Sequence, residues 1–200
     1  MRTRLGPHLK VFPEIPTKNW MRFSGPAVGL ATALTLFLLA APAASAAGAC
    51  DGARATVGKA SKRVLVRATL CVLNAERARR HLRLLALNRK LSAAARGHSR
   101  AMVEQHFFSH TSLDGTSFVD RIRRTGYLEG ARGWSVGENI AYGSGRLSTP
   151  RAIATAWMHS PGHRANILST SYESIGIGIA AGTPVGGDGG TYTTDFGRRG

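Results

Sequence analysis

The sequence predicts an α+β domain in which helices pack on a small antiparallel sheet. Two observations carry this. Through residues 62–168 apolar residues recur at helical spacing between cap and turn residues, whereas residues 175–196 switch to a two-residue period. Between 62 and 80, Val66, Leu70 and Leu73 share one stripe while Arg67, Glu76, Arg77 and Arg80 fall elsewhere, which is the pattern of an amphipathic helix. Asn88 or Ser92 starts a second helix with Leu91, Ala94, Ala95, His98, Ala101 and Met102 on one face. Thr116 or Ser117 caps a short third helix carrying Phe118 and Ile122, and Gly126 is placed to end it. Thr149-Pro150 repeats the start signal ahead of Ile153 and Trp157, and Ser160-Pro161 does so again. Ile175-Gly176-Ile177-Gly178-Ile179 then alternates strictly, giving a strand with one apolar face and one face bare enough for another backbone to approach. After a Gly/Pro/Asp loop over 183–190, the β-branched and aromatic run 191–196 reads as its antiparallel partner.

Two hundred residues, 43% of them apolar and 19% charged, suffice for one ordinary core and exclude collagen-like, coiled-coil and polytopic membrane classes. The first 46 residues read as an extension. No charge occurs between Phe23 and Cys50, residues 28–41 are dominated by Leu, Ala, Val and Phe, Arg22 precedes the run, and Ala44-Ser45-Ala46 follows it. That is the layout of a secretory signal peptide cleaved near Ala46, with Met21 an alternative start; the competing reading is a membrane anchor. The first 20 residues add Pro, Arg and Lys but no recognisable element.

Cys50 and Cys71 are the only cysteines, and in an exported chain such a pair is read first as a disulfide, the alternative being two buried thiols. Closing that loop would contribute about 3 kcal/mol in chain-entropy models. The bridge would tether a segment over 47–67 to the first long helix, and two cysteines alone make a poor zinc site.

Gly133-Trp134-Ser135-Val136-Gly137 matches the nucleophile-elbow pattern, but neither a preceding apolar strand nor a following helix accompanies it. His110, Glu138 and His163 are more informative, because each is set among small and turn-forming residues instead of an apolar stripe. Two imidazoles and a carboxylate can hold a zinc-type ion or act as a proton-transfer pair. Their wide separation in sequence leaves no local motif to bring them together.

Asn74-Ala75-Glu76-Arg77, residues 95–102, Phe108-Ser109-His110, Asp114-Gly115, Arg121-Ile122, Gly126-Tyr127, Gly137-Glu138-Asn139-Ile140, Trp157, residues 160–168, Ile175-Gly176-Ile177-Gly178 and Asp195-Phe196-Gly197 form an ordered set. In that order the set resembles the bacterial branch of the CAP superfamily (cysteine-rich secretory, antigen 5 and PR-1 proteins; SCP domain) over roughly 68–198. The resemblance implies a CAP/SCP-type α-β-α sandwich over 68–200, an extracellular location, and a cleft where two His and two acids can hold a divalent cation such as zinc. The histidines fall on His110 and His163 and the first acid on Glu138, with Asn139, His159 and Ser160 standing behind them. The second acid does not carry over. Its position holds Ser160, which supplies no charge, so one carboxylate would balance less of a dication and bind it weakly.

The remaining histidines read more plainly: His98 shares a face with Met102 and belongs to the core, His81 to the surface, and His106 to the neighbourhood of the cleft. Trp134, Trp157 and Phe107-Phe108 either line a groove or pack its floor. Formal charge is +16; removing residues 1–46 takes away five basic residues and one acidic one, so the remainder stays strongly basic. Arg77, Arg79, Arg80, Arg83, Arg89, Lys90, Arg96 and Arg100 crowd the first two helices, with Arg121, Arg123 and Arg124 on the third. Outside a cell such charge meets anionic cell-wall polymer or lipid headgroups; the alternative is a solvated Arg-rich face, and no nucleic-acid motif accompanies it. Three functions follow: a secreted, non-enzymatic ligand- or envelope-binding module, a metal-dependent hydrolase, or a structural envelope protein. The missing second acid favours the first and third over an enzyme.

Overall fold

The computed structural model describes residues 9–13, 17–19 and 50–200. The apolar export segment and its cleavage sequence at 44–46 lie outside the described residues. Two short strands, β1 (Leu9–Pro13) and β2 (Thr17–Asn19), come first, where the sequence shows no recognisable element. Helix α1 (Lys62–Ala78) follows, then the two-residue strand β3 (Ala86–Leu87), α2 (Arg89–Glu104) and α3 (Phe118–Arg124). Strand β4 (Trp134–Gly143), α4 (Pro150–His159), α5 (Pro161–Leu168) and the hairpin β5 (Ser174–Ala181) and β6 (Gly190–Arg199) complete the domain.

Side-chain caps place the helix starts. Asn88 accepts the Lys90 and Leu91 N–H groups, Ser117 and Asp120 close a reciprocal capping box, and Thr149 caps α4 ahead of Pro150. Strands run in the order β1-β4-β6-β5-β3, with β2 also on β4. β4 pairs with β6, and β6 with β5, antiparallel along their lengths.

The alternation in β5 decides how the layers stack. Ile175, Ile177 and Ile179 join Leu65, Leu73, Ile153, Trp157 and Ile167 in a core that places α1, α4 and α5 on one face. Gly176 and Gly178 turn to the other face, where a Cβ would overlap the α2 backbone at Leu91-Ser92 and Ala95-Arg96. The helix rests directly on the glycines, giving the α-β-α sandwich. Gly178→Ala is therefore expected to cost about 2–3 kcal/mol by prying α2 off the sheet. Gly97→Ala, with nothing near its Cβ on the same helix, should stabilise by up to about 1 kcal/mol. Urea melts of the pair check this, and equal effects would contradict the direct backbone contact.

Cys50 and Cys71 form the expected disulfide, tying the start of the domain to α1. Two expectations need correction. Arg77, placed by periodicity on the polar face of α1, is buried and donates to the carbonyls of Arg83, Ile167 and Ser169. The ten-residue β4 forms where the sequence shows no strand signal. Helices cover both faces, so nine of its residues are buried and no polar/apolar alternation marks it.

Candidate functional site

Within β4 the two-residue period sends Glu138 toward α2 and Asn139 toward α5. Glu138 is completely buried, and both its carboxylate oxygens are engaged. Oε1 accepts from Nδ1 of His110, in the loop after α2, at 2.8 Å; Oε2 accepts from Nη2 of Arg121, on α3, at 2.8 Å. The other end of the Arg121 fork donates to Ser112 Oγ and the Thr116 carbonyl, both at 3.1 Å. One carboxylate thus ties a loop, a helix and a strand together. Burial alone would raise the Glu138 pKa, but the His110 hydrogen bond and the Arg121 charge outweigh it and hold the group ionised well below the usual carboxylate range.

Asp195 stands directly across from Glu138 in the β4–β6 register, also buried, and no donor among the described residues reaches either of its oxygens. Burial, then the neighbouring Glu138 charge, push its pKa well above the ordinary value and disfavour its ionised form. His98 is buried beneath the same cluster. Its Nε2 donates to the Ser109 carbonyl at 2.9 Å, its ring lies tilted against Phe107, and burial lowers its pKa to about 4, so it is neutral at pH 7.

The structure brings His110 and Glu138 into contact. His163 lies on α5, buried beside Trp157, with Nδ1 bonded to Ser160 Oγ at 2.8 Å. This bond diverts the Ser160 hydroxyl from capping α5. Asn139 Nδ2 donates to the His163 carbonyl at 3.1 Å, and Asn166 Nδ2 bridges the Glu138 carbonyl and Asn139 Oδ1. Asn139 and Ser160 thus support His163, whereas His159 is exposed and bonds its own helix at the Thr155 carbonyl. Gly137 is small because a Cβ would strike the Tyr172 hydroxyl and Asn166. Ser135 lies within β4, without the strand-to-helix turn that would make it a nucleophile elbow.

Two members of the cluster escaped the sequence reading. Arg121 passed for surface charge, one of three basic residues on a short helix. Asp195 carried a signal that went unused: a lone acid inside the β-branched run 191–196. Asp195 places a further buried carboxyl beside Glu138, from β6, while the position expected for the second acid holds Ser160. The resulting donor set suits a dication poorly. Glu138 already faces a guanidinium, and among the described residues no group of three or more His, Cys, Asp or Glu side chains converges as a metal site requires.

Comparison with known proteins agrees with this architecture. The family model described as the cysteine-rich secretory protein family, CAP, matches residues 70–194. The chain is 37% identical to the uncharacterized protein YkwD of Bacillus subtilis (strain 168) over 105 residues, covering 52% of this chain and 38% of that protein. It is 33% identical to the uncharacterized membrane protein YlbC of the same organism over 110 residues, covering 55% and 30%. The chain therefore spans less than two-fifths of the length of these relatives. An extracellular SCP-domain protein from Bacillus anthracis str. Ames superposes with a TM-score of 0.54 at 28% identity, covering 70% of this chain and 44% of that one. An outer surface protein from Borrelia burgdorferi superposes with a TM-score of 0.59 at 20% identity, covering 70% and 97%, a likeness of fold alone. With the family model matched across most of a domain of this architecture, the chain belongs to the CAP, or cysteine-rich secretory protein, family.

Proposed function

We propose that the chain is a secreted, non-catalytic CAP module that holds to a polyanionic component of the cell envelope. The observation that carries this is the outer face of α2. Arg96 and Arg100, with Lys62, line a groove of about 450 Å³ floored by Ala93, Gly97 and Val103. Arg89 and Arg96 line an adjoining hollow of about 410 Å³. Arg89, Arg96 and Arg100 are all exposed, and among the described residues only Arg100 of these faces a carboxylate, Glu104, at a loose 3.8 Å. The arginines at the end of α1 and just beyond it differ: Arg79 and Arg80 pair with Glu76, and Arg83 with Glu173. The α2 face is thus the less neutralised one, suited to closely spaced phosphates or carboxylates.

The buried cluster supports a non-catalytic reading. A general base must be able to take up a proton near the working pH, and Glu138 is held far below it by two donors. Its hydrogen bonds position His110 and Arg121. Export rests on the sequence layout of residues 21–46 and on the extracellular character of the SCP-domain relative at 28% identity. Among the described residues no helix is long and apolar enough to cross a membrane.

Retention on isolated wall material and on vesicles containing anionic lipid tests the proposal and separates the two sources of negative charge. Reversal of Arg96 and Arg100 to Glu should lower retention about tenfold at about 0.1 M salt, with the melting temperature unchanged. Retention indifferent to the reversal and to about 1 M salt would refute it.

A further inference from the structure

The arginines of α2 carry an inference that rests on the envelope-binding reading above and narrows it to one class of ligand. At about 3.6 residues per turn, Arg89, Arg96 and Arg100 fall within about 40° of one another around the helix, so they form a single row. Along the axis, at a rise of about 1.5 Å per residue, Arg89 and Arg96 stand about 10 Å apart and Arg96 and Arg100 about 6 Å, giving a row about 16 Å long.

The ground beside the row is concave. The hollows of about 450 and 410 Å³ share Ala93 and Arg96, and so run on from one another as one groove. Gly97 keeps its floor open, because a Cβ there would meet nothing within 4 Å. Ile179 and Ala181, at the end of β5, line the groove from beyond the helix.

A row of cations along a groove suits a chain of anions better than a plane of them. A bilayer surface meets only the most protruding side chains, whereas a linear polymer lying beside the helix meets all three arginines in turn. Spacing narrows the choice of polymer. Three bonds of an extended chain cover about 3.5 Å, so phosphates joined through three-carbon units, about six bonds apart, recur roughly every 7 Å, close to the Arg96–Arg100 interval. Each guanidinium fork can pair with phosphate oxygens through two N–H groups. Among the described residues that line the groove none is aromatic, so bases find no platform to stack on and a nucleic acid gains nothing beyond its backbone.

We propose that the α2 groove binds a linear polyol phosphate, a polymer of short polyols joined by phosphodiesters, laid lengthwise against Arg89, Arg96 and Arg100. Labelled poly(glycerol phosphate) titrated onto the whole chain tests this, with phosphate in other forms as competitor. At equal phosphate concentration, unlabelled polymer should displace the label at least about tenfold more effectively than glycerol 3-phosphate, phosphatidylglycerol vesicles or oligo(dT), since only the polymer presents base-free phosphates in a row. Gly97→Leu puts an uncharged side chain into the groove, and Arg89→Gln removes one end of the row. Each should weaken polymer binding about tenfold without lowering the melting temperature. No polymer binding, equal displacement by vesicles or oligo(dT), or unchanged binding in Gly97→Leu would overturn the proposal. The envelope-binding reading fails separately, on retention that ignores reversal of Arg96 and Arg100.

Discussion

Glu138→Gln is expected to lower the melting temperature by about 10 °C at pH 7, which corresponds to losing a buried ion pair worth about 3–5 kcal/mol to break. Glutamine keeps the shape but not the valence. Its carbonyl can accept from one of His110 Nδ1 and Arg121 Nη2, and its amide then points at the other donor. Arg121, only 11% exposed, loses its counter-charge where water cannot replace it. Asp195→Asn should behave oppositely. Burial and the Glu138 charge disfavour the ionised wild-type group, so the substitution should leave the melting temperature unchanged or raise it, because an acid with a raised folded pKa costs stability above its ordinary value. A loss in Asp195→Asn matching that in Glu138→Gln would mean that Asp195 is ionised and paired, and the description of the cluster would fail.

The same variants divide the acid limb of stability. Glu138 has a depressed folded pKa, so its contribution is complete above the ordinary carboxylate value, near pH 4.5, and is lost as pH falls through the folded one. His98, lowered from 6.5 to about 4, resists the proton that the unfolded chain accepts. Its neutral burial therefore contributes fully above about pH 6.5, and stability drains away between there and about pH 4. Wild-type protein should lose stability in two stages on acidification. Glu138→Gln should keep the upper stage and lack the lower one. A single transition below pH 5 in both proteins would contradict the burial of His98.

Arg77→Met should cost about 4 kcal/mol, lowering the urea midpoint by about 2 M. The guanidinium is 1% exposed and satisfies three carbonyls: Arg83 at 2.7 Å, Ile167 at 2.7 Å and Ser169 at 2.9 Å. Two of these lie at the end of α5, whose last carbonyls lack partners within the helix. Methionine fills the stem volume and leaves three acceptors dry. Lysine should recover only part of the loss, because one ammonium cannot reproduce the planar fork that spans both segments. Arg79→Ala, on the exposed side of the same helix turn, should cost less than about 1 kcal/mol. If Arg77→Met falls within that smaller range, the buried fork is not what joins α1 to α5.

The legible parts of this fold were those whose residues act locally. Asn88, Ser117 and Thr149 cap helices through their own backbone neighbours, and Ile175 to Ile179 declares a strand by its period. β4 was illegible because burial on both faces erases alternation, and Gly137, Glu138 and Asn139 interrupt its apolar character for reasons outside the strand: a tyrosine, an arginine and a helix backbone. Arg77 and Arg121 look like solvated charge in a chain so rich in arginine. Only the carbonyls and the carboxylate that meet them reveal otherwise.

Local residue order is enough to set the helices and their caps, the closing hairpin, the disulfide partners and the basic surface, since each depends on residues within a turn or two or on composition. Folding in three dimensions was needed to establish that His110 and Glu138 meet, that Asp195 lies across from Glu138 in the β4–β6 ladder, and that Arg121 neutralises Glu138. Side-chain partnership across a sheet depends on strand register and on which face each residue takes, and both are set by pairing between segments far apart in the chain.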